Sequence, residues 1–367
     1  MPKGGIVLKR IFGIGIIAMI AAGCASTPHK TSVKIYIQQR NWAKALNEGK
    51  AWVKESPNDP EAYYWVAMAY TGMQKYIEAA DNLIKAIDLD TQGTLKDKIG
   101  ENEVNILLTA GKNTYNQDKD KALKYFEYAL KLSPNNKAAL LSVSTIYLQE
   151  GKFDTAEVYV NKARDIAPKN PLVYIYLANI YDSLATRNKD KKIEYLSKAE
   201  ENLKKATELK PSKDNYAKLA TFYFNNAKEN KDYPKLAEEY YKKALEKDST
   251  DVNILFNYGL SAFNNKHYDV AISAFSKYLD EQPEDEAALQ NLGLASYLYA
   301  QKLENKKMKQ EAMDYYRKAK DAYEKLTKLN PENGNYYEML YIFYAKLGDK
   351  QKAKEAMKKY QELKGKN

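Results

Sequence analysis

Chemistry near neutral pH is most often done by histidine, cysteine or paired carboxylates. This chain is poor in the first two. Its 367 residues hold two histidines, His29 and His267, and one cysteine, Cys24. One cysteine can form neither a disulfide within the chain nor a cysteine-based zinc cluster. Two histidines leave little room for a metal site or for His-centred acid–base work. Carboxylates abound, but their spacing is that of helix caps and i,i+4 ion pairs. The run Asp88-Leu89-Asp90-Thr91-Gln92-Gly93 starts like a calcium loop, yet Ile99 stands where the closing Glu is needed. No phosphate-binding glycine loop and no dinucleotide fingerprint occurs. The residues therefore predict no catalytic group, no metal ligand and no cofactor: a chain that works by binding rather than by catalysis.

The cysteine has a telling place. Residues 1–23 carry Lys3, Lys9 and Arg10 with no acidic residue, followed by an apolar run from Ile11 to Ala22. Twelve residues fall short of the ~20 needed to span a bilayer as a helix. A basic start, a short apolar core and small residues at its end read as a secretory signal. Ala21-Ala22-Gly23-Cys24 resembles the bacterial lipobox, with Ala21 where Leu is usual. That resemblance implies a lipidated Cys24 as the mature N-terminus and anchoring by two or more acyl chains. Ala25 and Ser26 follow, not the Asp of an inner-membrane retention signal, which favours the outer membrane facing the periplasm. The expected division is 1–23 signal, 24–30 lipidated Cys and short linker, and 31–367 folded array.

The elements that carry the rest are helices. Apolar residues recur at helical spacing, broken by short Pro, Asn and Asp stretches, and no strand alternation is sustained. Alanine returns at 45, 79, 122, 156, 199, 237, 271, 319 and 353, and four of the eight intervals are 34 residues. Twelve residues after many of these comes a proline: Pro57, Pro134, Pro168, Pro211, Pro283 and Pro331. Between them stands a large residue, among them Leu83, Phe126, Val160, Leu203, Tyr241, Phe275 and Tyr323. Small residues such as Ala67, Ala178, Gly259 and Gly293 mark the preceding helix. This pattern resembles the tetratricopeptide repeat, a 34-residue helix–turn–helix unit. The resemblance implies an all-α, right-handed α-solenoid of about nine repeats that mediates protein–protein interaction. Two long intervals predict helical hairpins lengthened by about two turns, with tips near Asn188 and Lys306; polar loops are the alternative.

In this family one stripe of each first helix is left facing the binding side. Counting along the units, that stripe is Asn179; then Asn215, Lys218, Phe222, Asn225 and Asn226; then Asn253, Phe256, Asn257, Phe263 and Asn264; then Gln290, Asn291 and Tyr297. An amide side chain offers a donor and an acceptor, which matches a peptide unit, and aromatic rings supply apolar pockets beside it. The 29 asparagines of the chain would also mark any exposed stripe by chance. Charge singles out the C-terminal end. Residues 301–367 hold 17 basic and 10 acidic side chains. Lys350, Lys354 and Lys358 share a helical face there, as a patch for an acidic partner or as a solvated cap. The scarcity of Arg argues against nucleic acid. The expected function is a lipid-anchored scaffold or adaptor of the bacterial cell envelope that binds an extended segment of another envelope protein. Glycan (peptidoglycan) binding, and a part in pilus or outer-membrane assembly, are alternatives; self-association is left open.

Overall fold

The computed structural model describes residues 28–365. Cys24 and the rest of the signal region lie outside the described residues. Among those residues every regular element is a helix, eighteen in all, and none is long and apolar enough to cross a membrane. They form two compact units, divided after Pro134.

The first unit contains α1 (Pro28–Gln38), α2 (Trp42–Glu55), α3 (Pro60–Gly72), α4 (Tyr76–Leu89), α5 (Glu101–Thr114) and α6 (Lys119–Leu132). Pro28, His29 and Lys30, read above as linker, are the first turn of α1. His29 is held there between Glu48 (2.6 Å) and Glu55 (3.1 Å), and the Glu48 contact pushes its pKa up. The residues that resembled a calcium loop end α4 and start its connection to α5. Asp90 accepts the backbone N–H groups of Thr94 and Leu95 and the Thr94 hydroxyl, which seats Leu95 fully in the core.

The second unit contains α7 (Lys137–Gln149), α8 (Phe153–Ile166), α9 (Pro171–Arg187), α10 (Lys192–Leu209), α11 (Lys213–Asn225) and α12 (Tyr233–Leu245). It continues with α13 (Val252–Asn264), α14 (Tyr268–Glu281), α15 (Glu286–Asn305), α16 (Lys309–Leu329), α17 (Gly334–Leu347) and α18 (Lys350–Lys364). Within each unit, odd and even helices pair as hairpins, and each hairpin packs on the next.

Local chemistry sets each boundary. First helices of a pair are opened by side-chain caps: Asp59, Asn136, Asn170, Ser212, Asp251, Asp285 and Asn333 each accept an N–H of the first turn. Within several pairs the turn uses one left-handed residue two positions before the second helix: Arg40, Gln74, Gly151, Lys266, Lys307 and Gly348. Inside a pair, glycine in the first helix makes room for an aromatic ring in the second. A Cβ added at Gly259 would lie 2.8 Å from Phe275, and one at Gly111 or Gly293 would collide with Phe126 or Tyr323.

The long intervals are helical hairpins. Helices α9 and α10 run to 17 and 18 residues and turn at Asn188; α15 and α16 run to 20 and 21 and turn at Lys306. The second hairpin buries a small core of its own: Ala300, Leu303, Ala312 and Tyr316. Glu304 ties it to α17 by accepting from Tyr316 (2.8 Å) and Lys346 (2.8 Å).

Candidate functional site: a cavity on the first helices of the second unit

In the second unit α9, α11 and α13 present adjacent faces, and a cavity of about 530 Å³ opens between them. Its apolar part comes from Ala178, Leu203, Ala217, Phe222 and Ile254. Its polar part comes from Asn179, Asp182, Asp214, Lys218, Thr221, Asn225, Asp251 and Asn253. Five stripe residues named from sequence are thus brought together: Asn179, Lys218, Phe222, Asn225 and Asn253. The three asparagines are exposed. No hydrogen bond engages their amides among the described residues, so donor and acceptor both face solvent.

The other stripe residues are placed elsewhere. Asn215 is turned inward: only 6% exposed, it donates to the Ala206 (3.1 Å) and Lys210 (2.9 Å) carbonyls and closes the α10–α11 connection. Asn226 donates to the Phe222 carbonyl of its own helix at 2.9 Å. Asn291 does the same to Ala287, and Gln290 donates to the Tyr336 hydroxyl. Phe256 packs edge-on against Phe275, and Phe263 against Tyr268. Tyr297 is wedged between Tyr316 and Phe343. Asn257 and Asn264 stay on α13 outside the cavity. The count by helical period named these positions together. It did not separate side chains that reach the cavity from those that fold back to bond their own backbone.

The carboxylates went unnoticed in the sequence, although the same periodicity points to them. Asp182 lies one turn after Asn179 on α9, and Asp214 one turn before Lys218 on α11. Asp182 lines the open cavity, yet burial by the surrounding walls pushes its carboxyl up, partly opposed by the Asn226 amide. Asp251 is different. It is bonded to Lys213 (2.9 Å), which holds its carboxyl down, and it caps α13 through the Ile254 N–H. Neither Asp182 nor Asp214 has a cationic partner among the described residues.

No cluster of three or more metal-ligating side chains occurs among the described residues. His267, at the start of α14, contacts Glu238 at 2.9 Å. Lys350, Lys354 and Lys358 are exposed along α18, and among the described residues only Lys358 pairs with a carboxylate, Glu362 at 3.9 Å.

Models of the tetratricopeptide repeat match residues 60–92, 115–180, 230–286 and 335–367. The type IV pilus assembly protein PilF of Pseudomonas aeruginosa is 35% identical over 120 residues, which are 32% of this chain. The chain spans 43% of that relative's length. Among solved structures, the C-terminal part of a TPR repeat-containing protein from Cytophaga hutchinsonii is 19% identical with a TM-score of 0.49. It is covered to 98% and covers 71% of this chain. Pseudomonas aeruginosa pilF gives 14% identity and a TM-score of 0.43, over 64% of this chain and 95% of its own. Matched in four stretches and built throughout from helix pairs, the chain is a tetratricopeptide-repeat protein.

Proposed function

We propose that this protein is a lipid-anchored interaction scaffold of the bacterial cell envelope, holding an extended segment of another envelope protein across α9, α11 and α13. One observation carries the reading. Amides from three successive repeats, Asn179, Asn225 and Asn253, converge on one cavity floored by Phe222 and Ile254. Amides at successive repeats match the donor–acceptor rhythm of an extended backbone, and apolar walls strengthen such bonds by excluding water. The lipobox-like Cys24 supports anchoring, and the residues after it favour the outer membrane facing the periplasm. The likeness to a pilus assembly protein supports pilus assembly as the process served. Lys350, Lys354 and Lys358 would add a screened, salt-sensitive contact to an acidic surface of the same partner.

The test is a displayed library of linear peptides panned against the whole protein. Enrichment of linear peptides is expected. Asn179→Ala/Asn225→Ala/Asn253→Ala should weaken the selected peptides at least about tenfold, a loss of ~1.4 kcal/mol, with helical content and Tm nearly unchanged. Raising salt should weaken them further if the lysine patch takes part. Capture that survives the triple change would remove the groove. Capture abolished by soluble muropeptides would favour the glycan reading instead.

A further inference from the structure

Charge is unevenly arranged on the first repeat. Its second helix, α2, carries three lysines, Lys44, Lys50 and Lys54, and two glutamates, Glu48 and Glu55. Both glutamates turn toward α1 and are engaged by one residue, His29, at 2.6 and 3.1 Å. The three lysines are exposed, and no carboxylate pairs with any of them among the described residues. Arg40, exposed in the turn that leads into α2, is equally without an acidic partner there. The outer face of this repeat is therefore cationic with nothing to offset it. The next second helix, α4, has the opposite composition: Glu78, Asp81 and Asp88 are exposed beside one lysine, Lys85.

Aromatic rings flank these cations. Lys44 lies over the Tyr36 ring of α1 at 5.6 Å, and Lys50 over the Tyr70 ring of α3 at 5.6 Å. Such a contact orients an ammonium without neutralising it. Both rings are half-buried, and neither hydroxyl has a hydrogen bond among the described residues. Elsewhere in this unit Tyr125 and Tyr128 donate to carboxylates. Cations beside half-buried tyrosines suit a lipid head-group layer, where the cations meet phosphates and the phenols stay at the polar boundary. The place of the repeat fits as well. Three residues, Ala25 to Thr27, separate Cys24 from the first turn of α1. Four steps of chain span at most ~14 Å. A lipid on Cys24 would therefore keep this repeat at the bilayer surface, where exposed charges reach ~8 Å at physiological ionic strength.

We propose that the outer face of α2, with Arg40 at its start, docks on anionic phospholipid head groups and lays the first repeat against the leaflet that holds the anchor. This rests on the anchor reading and adds a fixed face toward the membrane. Acyl chains alone would leave the repeat free to turn about its tether. Four cations on one side, each drawn to an anionic surface, select that side. The two carboxylates that would repel the same lipids are the ones His29 engages.

The test uses the full-length mature protein, extracted from membranes and transferred to vesicles of phosphatidylcholine alone or with phosphatidylglycerol added. Amine-reactive labelling of each lysine is read by mass spectrometry. The expected result is partition onto both kinds of vesicle, with Lys44, Lys50 and Lys54 labelled at least about threefold more slowly on the anionic ones. Lys85 should label equally on both, and added salt should restore the rate at the three lysines. In an Arg40→Gln/Lys50→Gln/Lys54→Gln variant, which changes exposed side chains only, Lys44 should lose its protection while helical content stays the same. Equal labelling of the three lysines on both vesicles, protection no greater than at Lys85, or protection of Lys44 that the variant retains would overturn the docking face and leave the anchor standing. Binding to the anionic vesicles alone, with the same three lysines protected, would overturn the anchor and support the face. Protein that stays off both kinds of vesicle would overturn both.

Discussion

Tyrosine is the residue whose role changes most when its surroundings are known. The chain has 32 tyrosines against 9 phenylalanines, and its bias to Lys, Asn and Tyr is one that AT-rich codons would produce. In place, the phenols do structural work between repeats. Tyr125 of α6 donates to Asp81 of α4 at 2.6 Å, and Tyr181 of α9 to Glu157 of α8 at 2.6 Å. Tyr344 of α17 donates to Glu324 of α16 at 2.6 Å. Glu200 of α10 receives two phenols, Tyr223 (3.0 Å) and Tyr233 (2.7 Å), as well as Lys204. Each ring fills core volume while its hydroxyl ties a carboxylate on a neighbouring helix. Tyr125→Phe should therefore cost ~1.5 kcal/mol or more in urea unfolding, as expected for a hydrogen bond to a charged group. The phenols also predict an alkaline limit. Tyr128 is pushed up to about 12 by its bond to Asp88 and by burial, and Tyr316 to about 12 by burial and Glu304. A raised folded value means this stability is fully present below pH ~10 and is lost as pH rises through the folded value. Circular dichroism followed beside tyrosinate absorbance should show unfolding and phenol ionisation together, not ionisation first. Glu61 has the opposite sign. Burial would raise it, but Lys30, Trp65 and Lys34 hold it at about 2, so its contribution is full above its ordinary value of 4.5 and is lost progressively as pH falls from there to about 2.

Helices obey two glycine rules that a sequence reader meets as one residue type. Gly259 is a packing glycine: its missing Cβ is where the Phe275 ring sits. Gly348 is a backbone glycine, with φ +81° and open space around it. Gly259→Ala should destabilise by ~1–3 kcal/mol through overpacking, and a Phe275→Leu background should recover part of the loss. Gly348→Ala should cost ~1 kcal/mol from the left-handed conformation alone, with no recovery from any neighbour. The repeat period, the alternation of small and large positions, and the lengthened hairpins at Asn188 and Lys306 were all legible in the sequence, because they depend on spacing. The extension of α1 back to Pro28 was not, since it depends on Glu48 and Glu55 reaching His29 from the next helix. Nor were Arg40, Gln74, Lys266 and Lys307 legible as left-handed turn residues, because nothing in a charged or amide side chain announces that conformation. Within the candidate site, period found the amides; the inward turn of Asn215 depends on carbonyls left open where α10 ends.

For the whole molecule the proposed function joins two separate features, an anchor and a groove, and each can be removed alone. Cys24→Ala should leave the protein without metabolic palmitate label and releasable from membranes, while peptide capture by the folded repeats stays unchanged. Label that persists in this variant would refute the anchor and leave the groove reading untouched. The way the repeats are joined bears on how the chain acquires its structure. Every substantial helix contact inside a unit links helices adjacent or next-but-one in chain order. The loops to be closed are therefore short, and the entropic cost of closing each is small. Such a chain has low contact order, so it should refold quickly after dilution from denaturant, nucleating at more than one hairpin and growing outward. A nascent chain could then complete each hairpin in the order its residues emerge, with no need to wait for a distant partner strand.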